Sequence, residues 1–160
     1  MTRKDIEFQN GAGITLRGWL YTPTETTGAP LPCLVMQHGF SAVKEMGLDM
    51  FGEAFVANLK LVVLVFDNRG FGASDAAVGQ PRFEIVPSDQ ISDFSDAITY
   101  AQSLAEVDPK KIGIWGSSYS GGHALVVAAT DKRVKAIISQ VGANLTTLLG
   151  FLLSTLCVCP

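Results

Sequence analysis

The run LVVLVFD at residues 61–67 limits the fold of this chain more than any other feature. Its first six residues are all apolar and rich in valine, so a strand formed by them has no polar face and must be covered on both sides. Sheets with helices on both faces provide this cover, and their strands are mostly parallel. The runs CLVMQ at 33–37 and KIGIW at 111–115 are of the same kind. The sequence therefore predicts an α/β protein.

Strand-like and helix-like segments alternate along the chain. An antiparallel hairpin is predicted at the start, because DIEFQ and ITLRGWLYTP flank the turn residues NGAG. Apolar runs predict parallel strands near 33–37, 61–66, 111–115 and 134–139, and apolar residues at helical spacing predict helices near 47–59, 88–106 and 119–130. The predicted fold is an N-terminal hairpin followed by a mostly parallel sheet with helices on both faces.

Composition excludes several classes of function. The chain has 160 residues, with 12 Lys and Arg against 15 Asp and Glu, and no basic stripe that would attract nucleic acid. The N-terminus has no apolar segment typical of a signal peptide, which predicts a cytoplasmic protein. The apolar stretch LTTLLGFLLSTLCVCP is shorter than the roughly 20 residues of a spanning helix, so no membrane span is expected. Cys33, Cys157 and Cys159 match no disulfide framework or zinc spacing, and we expect no metal and no cofactor.

The segment GSSYSGG at residues 116–122 lies between a predicted strand and a predicted helix. A serine in such a tight turn projects its hydroxyl outward beside the positive end of the helix, which suits a nucleophile. Ser118 fits this position because the small residues that the turn requires stand two places before it and two places after it. These small residues are Gly116 and Ser120, and glycine is usual at the second of these positions; Gly121 follows. Gly122 is expected to let the helix pack closely on the sheet.

Two other interpretations of this segment remain. A flexible Gly/Ser loop without chemistry would have a similar composition. Ser117 is a rival nucleophile, but the bulky Trp115 stands two places before it. The strand before and the helix after favour Ser118.

The segment HGF at residues 38–40 follows another predicted strand. With Ser118 as nucleophile, the backbone N–H groups of Phe40 and Tyr119 would form an oxyanion hole. His38, beside Gly39, precedes the nucleophile and is expected to brace the turn through backbone hydrogen bonds. His123 lies five residues after Ser118 and is expected to be a structural or surface histidine.

The segment DNRGFGAS at residues 67–74 is a third loop at a strand end. Its glycines, Gly70 and Gly72, match neither dinucleotide-binding nor P-loop spacing, so nucleotide binding is the weakest hypothesis. We expect a structural turn in which Arg69 binds Asp67 or nearby carbonyl groups. The carboxyl ends of parallel strands meet at one edge, so these three loops should converge there.

Together, HGF, DNRGFGAS and GSSYSGG resemble the α/β-hydrolase superfamily over about residues 4–142. The forms HGFSAVKE and WGSSYSGGHAL are most similar to dienelactone-hydrolase-like and X-Pro dipeptidyl-peptidase-like members, among them fungal polyketide acyltransferases and thiohydrolases. The resemblance implies an enzyme that transfers ester, thioester or amide acyl groups of a small-molecule substrate through a Ser118 acyl-enzyme. It also implies a catalytic acid and histidine later in the chain.

The end of the sequence departs from this pattern. There is no histidine after His123 and no acidic residue after Asp131, so the acid and histidine of the triad are missing. We expect a partial α/β-hydrolase domain at 1–143 and an apolar tail at 144–160 that is unlike the family. A sheet without its last strands would have an uncovered edge open to self-association. The alternative function is therefore a non-catalytic, truncated relative that acts by binding or association.

Overall fold

A computed structural model describes residues 1–25, 28–140 and 155–158, the last segment as backbone only. The described strands are β1 Thr2–Gln9, β2 Thr15–Thr22, β3 Leu31–Gln37, β4 Val62–Phe66, β5 Val107–Ser117, β6 Val134–Gln140 and β7 Thr155–Val158, and the described helices are α1 Leu48–Leu59, α2 Pro87–Ser103 and α3 Tyr119–Thr130. These seven strands form one sheet, in which they lie side by side in the order β1-β2-β4-β3-β5-β6-β7.

The pairing of the strands confirms the predicted topology. Strands β1 and β2 form the antiparallel hairpin, and β2 then pairs antiparallel with β4. The central strands β4, β3, β5 and β6 are parallel neighbours. Their carboxyl ends therefore lie along one edge of the sheet, where the loops after β3, β4 and β5 begin.

Strand β4 shows why the run at 61–67 has no polar face. All five of its residues are fully buried. Val62, Leu64 and Phe66 belong to a core that includes residues of α2 and α3, whereas Val63 and Val65 belong to a second core that includes residues of α1. Because side chains alternate along a strand, a strand between two helical layers needs apolar residues at every position.

Helix α2 ends earlier than the sequence predicts. The predicted helix near 88–106 ends at Ser103, and β5 begins at Val107 instead of near residue 111. Val107 pairs with Leu31, and the register shifts between that pair and the next one. The long-range pairing with β3 thus extends β5 across Pro109, where local sequence predicted only a break.

Strand β6 is not the outermost strand. Thr155–Val158 form β7, which pairs antiparallel with Ala136–Ser139 of β6. The expectation of an uncovered β6 edge is therefore wrong over these four residues, because β7 occupies their hydrogen-bonding groups. The predicted boundary at residue 143 lies outside the described residues, and self-association stays a prediction.

Candidate active site

Ser118 lies in the tight turn between β5 and α3, as predicted. Its backbone has φ 54° and ψ −115°, a conformation that residues other than glycine rarely adopt. The Ser118 N–H donates to the carbonyl oxygen of Gln140 at 2.5 Å, and the Ser118 carbonyl accepts from the Gly121 N–H at 3.1 Å. These bonds hold a strained backbone in place, which is a common property of functional sites.

Small residues around Ser118 make this turn possible. A Cβ added at Gly116 would lie 2.1 Å from the Ser120 carbonyl oxygen, so no larger residue fits there. The Ser120 hydroxyl accepts from the Ser117 N–H at 2.8 Å and donates to the Gln37 carbonyl at 2.6 Å. Ser120, at the position where glycine is usual, therefore ties the turn to the end of β3.

The close packing of α3 on the sheet involves Gly121. A Cβ added at Gly121 would meet the Ser139 hydroxyl at 3.0 Å and two backbone carbonyl oxygens at 3.3 and 3.4 Å. A Cβ added at Gly122 would meet nothing within 4 Å among the described residues. The sequence suggested Gly122 for this role, and that suggestion is wrong because Gly122 does not face the sheet.

The HGF loop lies directly against the Ser118 turn. A Cβ added at Gly39 would lie 3.4 Å from the Ser118 Cβ and 3.1 Å from the Ser117 carbonyl oxygen. The Phe40 and Tyr119 rings meet edge to face, with centroids 5.6 Å apart, and Phe40 is 65% exposed. The Phe40 N–H has no acceptor among the described residues, and Tyr119 is the first residue of α3, whose N–H lacks an intrahelical acceptor. Neither N–H group therefore has a backbone acceptor among the described residues.

His38 is buried and uses both ring nitrogens. Its Nε2 accepts the Asn68 N–H at 3.0 Å, which leaves Nδ1 to donate to the Gly39 carbonyl at 3.0 Å. Burial lowers the pKa of His38, so the neutral ring is favoured. These contacts agree with the expected bracing role, since His38 links the loops after β3 and β4.

His123 is buried beneath the turn and is not a surface residue. Its Nδ1 donates to the Gln37 side-chain oxygen at 3.1 Å, because the Gln37 amide nitrogen is already bound to the Asn68 side chain and the Gln90 carbonyl. Burial is the main cause that lowers the pKa of His123, and the nearby His38 lowers it further. His123 was expected to be a structural or surface histidine, and its contacts are those of a structural residue.

Asp67 is bound to Lys44 and not to Arg69. Its fully buried carboxylate accepts the Lys44 ammonium at 2.6 Å, the Lys44 N–H at 2.8 Å and the Ala73 N–H at 2.9 Å. Burial alone would lower the pKa of Lys44, but hydrogen bonds with Asp67 and Glu45 raise it overall. Of the two predicted contacts of Arg69, the one with Asp67 is therefore wrong, whereas Arg69 does donate to a carbonyl oxygen, that of Asp89, at 3.4 Å.

Arg69 instead reaches the start of α2. Its guanidinium donates to both carboxylate oxygens of Asp93, at 2.6 and 2.8 Å, and lies 3.0 Å from Asp89. The hydrogen bond with Asp93 is the main reason that the pKa of Arg69 is raised. Asn10, in the hairpin turn, also donates to Asp93 at 2.6 Å. DNRGFGAS is thus the structural turn that was expected, with different partners.

Sequence reasoning missed three buried polar residues at this edge. Lys44 follows the HGF loop, Gln37 ends the apolar run of β3, and Asp93 precedes the buried Phe94 in α2. A polar residue inside an apolar pattern was the available signal, because such residues persist only where they have partners. Their partners could not be identified from sequence spacing.

Within the described residues, no group of three or more His, Cys, Asp or Glu side chains could hold a metal ion. None of the helices in the described part of the chain has the length and apolar character needed to cross a membrane.

Comparison with known proteins identifies the family. Residues 12–147 match the model of the X-Pro dipeptidyl-peptidase (S15) family. The chain belongs to this family. The thiohydrolase aneE of Aspergillus aculeatus is 44% identical over 138 residues, which cover 86% of this chain and 41% of that protein. The polyketide transferase af380 of Aspergillus fumigatus is 42% identical over 139 residues, which cover 87% of this chain and 45% of that protein.

A solved structure confirms the fold. The α/β hydrolase GrgF of Penicillium sp. sh18 matches with a TM-score of 0.78 and 36% identity, over 86% of this chain and 45% of that chain. The predicted resemblance and fold class are therefore confirmed. The chain spans less than half the length of these relatives.

Proposed function

We propose that Ser118 is the nucleophile of an acyl-transfer reaction. The observation that carries this proposal is the backbone of Ser118, which adopts a strained conformation between a strand and a helix with the HGF loop packed against it. Strain of this kind persists only where surrounding contacts hold it, and here the contacts come from β3, β6 and α3. A loop without chemistry would have no need of such a conformation.

In the proposed reaction, the Ser118 oxygen attacks the acyl carbonyl and its proton passes to a base. The N–H groups of Phe40 and Tyr119 donate to the oxygen that becomes negative, and each such donor contributes about 3 kcal/mol. The tetrahedral intermediate expels the thiol, alcohol or amine and leaves the acyl group on Ser118. Water or an acceptor alcohol then attacks this acyl-enzyme and releases Ser118.

We assign neither histidine of the sequence as the base. His38 has both ring nitrogens bound, and His123 is held by Gln37 beneath the turn. The sequence contains no histidine after His123. A polypeptide of these 160 residues should therefore retain the oxyanion donors and lack an efficient base.

The substrate class is proposed from the relatives. A thiohydrolase and a polyketide transferase share about 40% of their aligned residues with this chain. We propose a small-molecule acyl thioester or ester as substrate, with amides as a further possibility of the same chemistry. Whether water or an alcohol accepts the acyl group depends on water exclusion around Ser118.

The test compares Ser118→Ala with the matched control Ser117→Ala in the 160-residue chain. A fluorophosphonate should label the peptide that contains Ser118 slowly, keep labelling it in Ser117→Ala and fail in Ser118→Ala. Turnover of an activated aryl ester should be slow, because loss of a triad member typically leaves about 10³–10⁴-fold catalysis over water. A chimera of residues 1–140 with the C-terminal part of the thiohydrolase aneE, where the family resemblance implies the histidine base, should react much faster.

The outcomes separate the hypotheses. Fast turnover that is unchanged by Ser118→Ala would refute the nucleophile. Fast turnover by the short chain that is abolished by Ser118→Ala would keep the nucleophile and make His123 the first candidate for the base. Absence of labelling and turnover in both polypeptides would favour the alternative, a non-catalytic protein that acts by binding.

A further inference from the structure

The segment 38–44, which begins with the HGF loop, is fixed at both of its ends to the residues that follow β4. At its first residue, His38 accepts the Asn68 N–H at 3.0 Å. At its far end, Lys44 donates its N–H and its ammonium to Asp67 at 2.8 and 2.6 Å. Between these anchors the loop bulges outward, with Phe40 exposed and Ser41 at φ 52°, a left-handed conformation that serine adopts at a cost. The position of the Phe40 N–H therefore depends on the two anchors.

Asp67 is the stronger of the two anchors. Its carboxylate is fully buried, and it binds two N–H groups from different segments as well as the ammonium of Lys44. The Lys44 side chain is only 5% exposed. A Cβ added at Gly72 would lie 2.2 Å from the carboxylate, so the loop after β4 wraps closely around it. Removing the charge of Lys44 would leave the buried Asp67 carboxylate without its counter-ion. Removing the charge of Asp67 would leave Lys44 with Glu45 alone, 2.7 Å away and half exposed, and would release the end of the loop.

We propose that Asp67 and Lys44 are positioning residues that hold the Phe40 N–H in place beside Ser118. This inference rests on the proposed function, because it assigns the ion pair to the oxyanion donor of that reaction. Neither residue needs to touch the substrate. Asp67 holds Lys44, and Lys44 fixes the end of the loop. Gly39 packs on the Ser118 turn so closely that a Cβ added to it would lie 3.4 Å from the Ser118 Cβ.

The test uses Asp67→Asn, Lys44→Met and the conservative Lys44→Arg in the 160-residue chain. The matched control is Asp75→Asn, which removes an exposed carboxylate near the same segment that pairs with Arg17. Two quantities are measured: amide hydrogen exchange in residues 38–44, and the rate constant for fluorophosphonate labelling of Ser118. Circular dichroism identifies variants that fail to fold. If Asp67→Asn fails to fold, Lys44→Met alone tests the proposal.

In the proposed mechanism, Asp67→Asn and Lys44→Met speed exchange in residues 38–44 and slow labelling at least about tenfold, since small misplacements of catalytic groups cost up to about 100-fold. Lys44→Arg retains the charge and should restore labelling to within about threefold of the original chain. Asp75→Asn should change neither quantity.

Each outcome bears on one proposal. Unchanged exchange and unchanged labelling in folded Asp67→Asn and Lys44→Met would overturn the positioning role. An equal loss of labelling in Asp75→Asn would also overturn the positioning role, because loss of any carboxylate in the loop after β4 would then explain the slower labelling. Failure of the original chain to label at Ser118 would overturn the proposed function, and the exchange data would still show whether the ion pair holds the loop.

Discussion

Substituting alanine for Gly116 should destabilise the protein more than the same substitution at Gly113 or Gly122. The added Cβ would lie 2.1 Å from the Ser120 carbonyl oxygen and 2.8 Å from the Gly121 nitrogen. These are backbone atoms of the turn, and Gly116 itself is paired to Gln37 and Ser139 on neighbouring strands. Neither side can move without breaking sheet or turn hydrogen bonds, so the contact cannot be relieved locally.

The expected loss for Gly116→Ala is about 3 kcal/mol or more, the upper end of the range for overpacking a core. In a chain of this length, that loss corresponds to a decrease of roughly 6–12 °C in the unfolding temperature. Two control variants carry the same substitution. Gly113→Ala, in the same strand, would meet only a movable Leu34 methyl at 3.3 Å and Ala136 at 3.6 Å, so about 1 kcal/mol or less is expected. In Gly122→Ala, the added Cβ meets no atom of the described residues within 4 Å, and the variant should gain about 0.5–1 kcal/mol of stability in α3.

The assay is urea unfolding followed by circular dichroism and by tryptophan fluorescence, which includes the buried Trp115. The order of stability should be Gly122→Ala, the original chain, Gly113→Ala and finally Gly116→Ala. Fluorophosphonate labelling of Ser118 should also fall in Gly116→Ala, because the turn must shift. If Gly116→Ala were as stable as Gly113→Ala, the steric argument for the turn would be wrong.

Two further predictions concern stability. The free energy of unfolding should fall as pH decreases below 6.5, because burial lowers the pKa of His38 and His123 in the folded state and the unfolded chain then binds more protons. Urea midpoints at about pH 7 and about pH 5 measure this loss, and a flat profile would contradict the buried, neutral histidines. Deletion of residues 144–160 should change the unfolding temperature little, since the described side chains of both cores lie between Ile6 and Ile138. Complete loss of the folded signal would show that β7 is integral to the domain.

The main elements could be predicted from sequence because their signals are local. The run at 61–67 required two helical layers, and the strand-to-helix context of Ser118 predicted the turn in which the structure places it. The alternation of strands and helices predicted the parallel order and the edge where the loops meet. These properties follow from the period of apolar residues and from the few conformations that a short turn permits.

The partners of the polar residues were decided only by tertiary structure. Arg69 is two residues from Asp67 in sequence, yet it binds Asp93, and Asp67 binds Lys44. His123 contacts Gln37 across 86 residues of chain. Adjacent charges in a sequence attract each other only if their side chains point the same way, and in this sheet the nearest buried charge came from another loop.

The glycines show the same division. Sequence predicted that small residues must surround Ser118, but it could not distinguish Gly121 from Gly122 as the contact with the sheet. Adjacent residues on a helix point about 100° apart, so the choice depends on how the helix is rotated against its neighbours. That rotation is fixed by the packing of α3 on β5 and β6, which exists only in the folded chain.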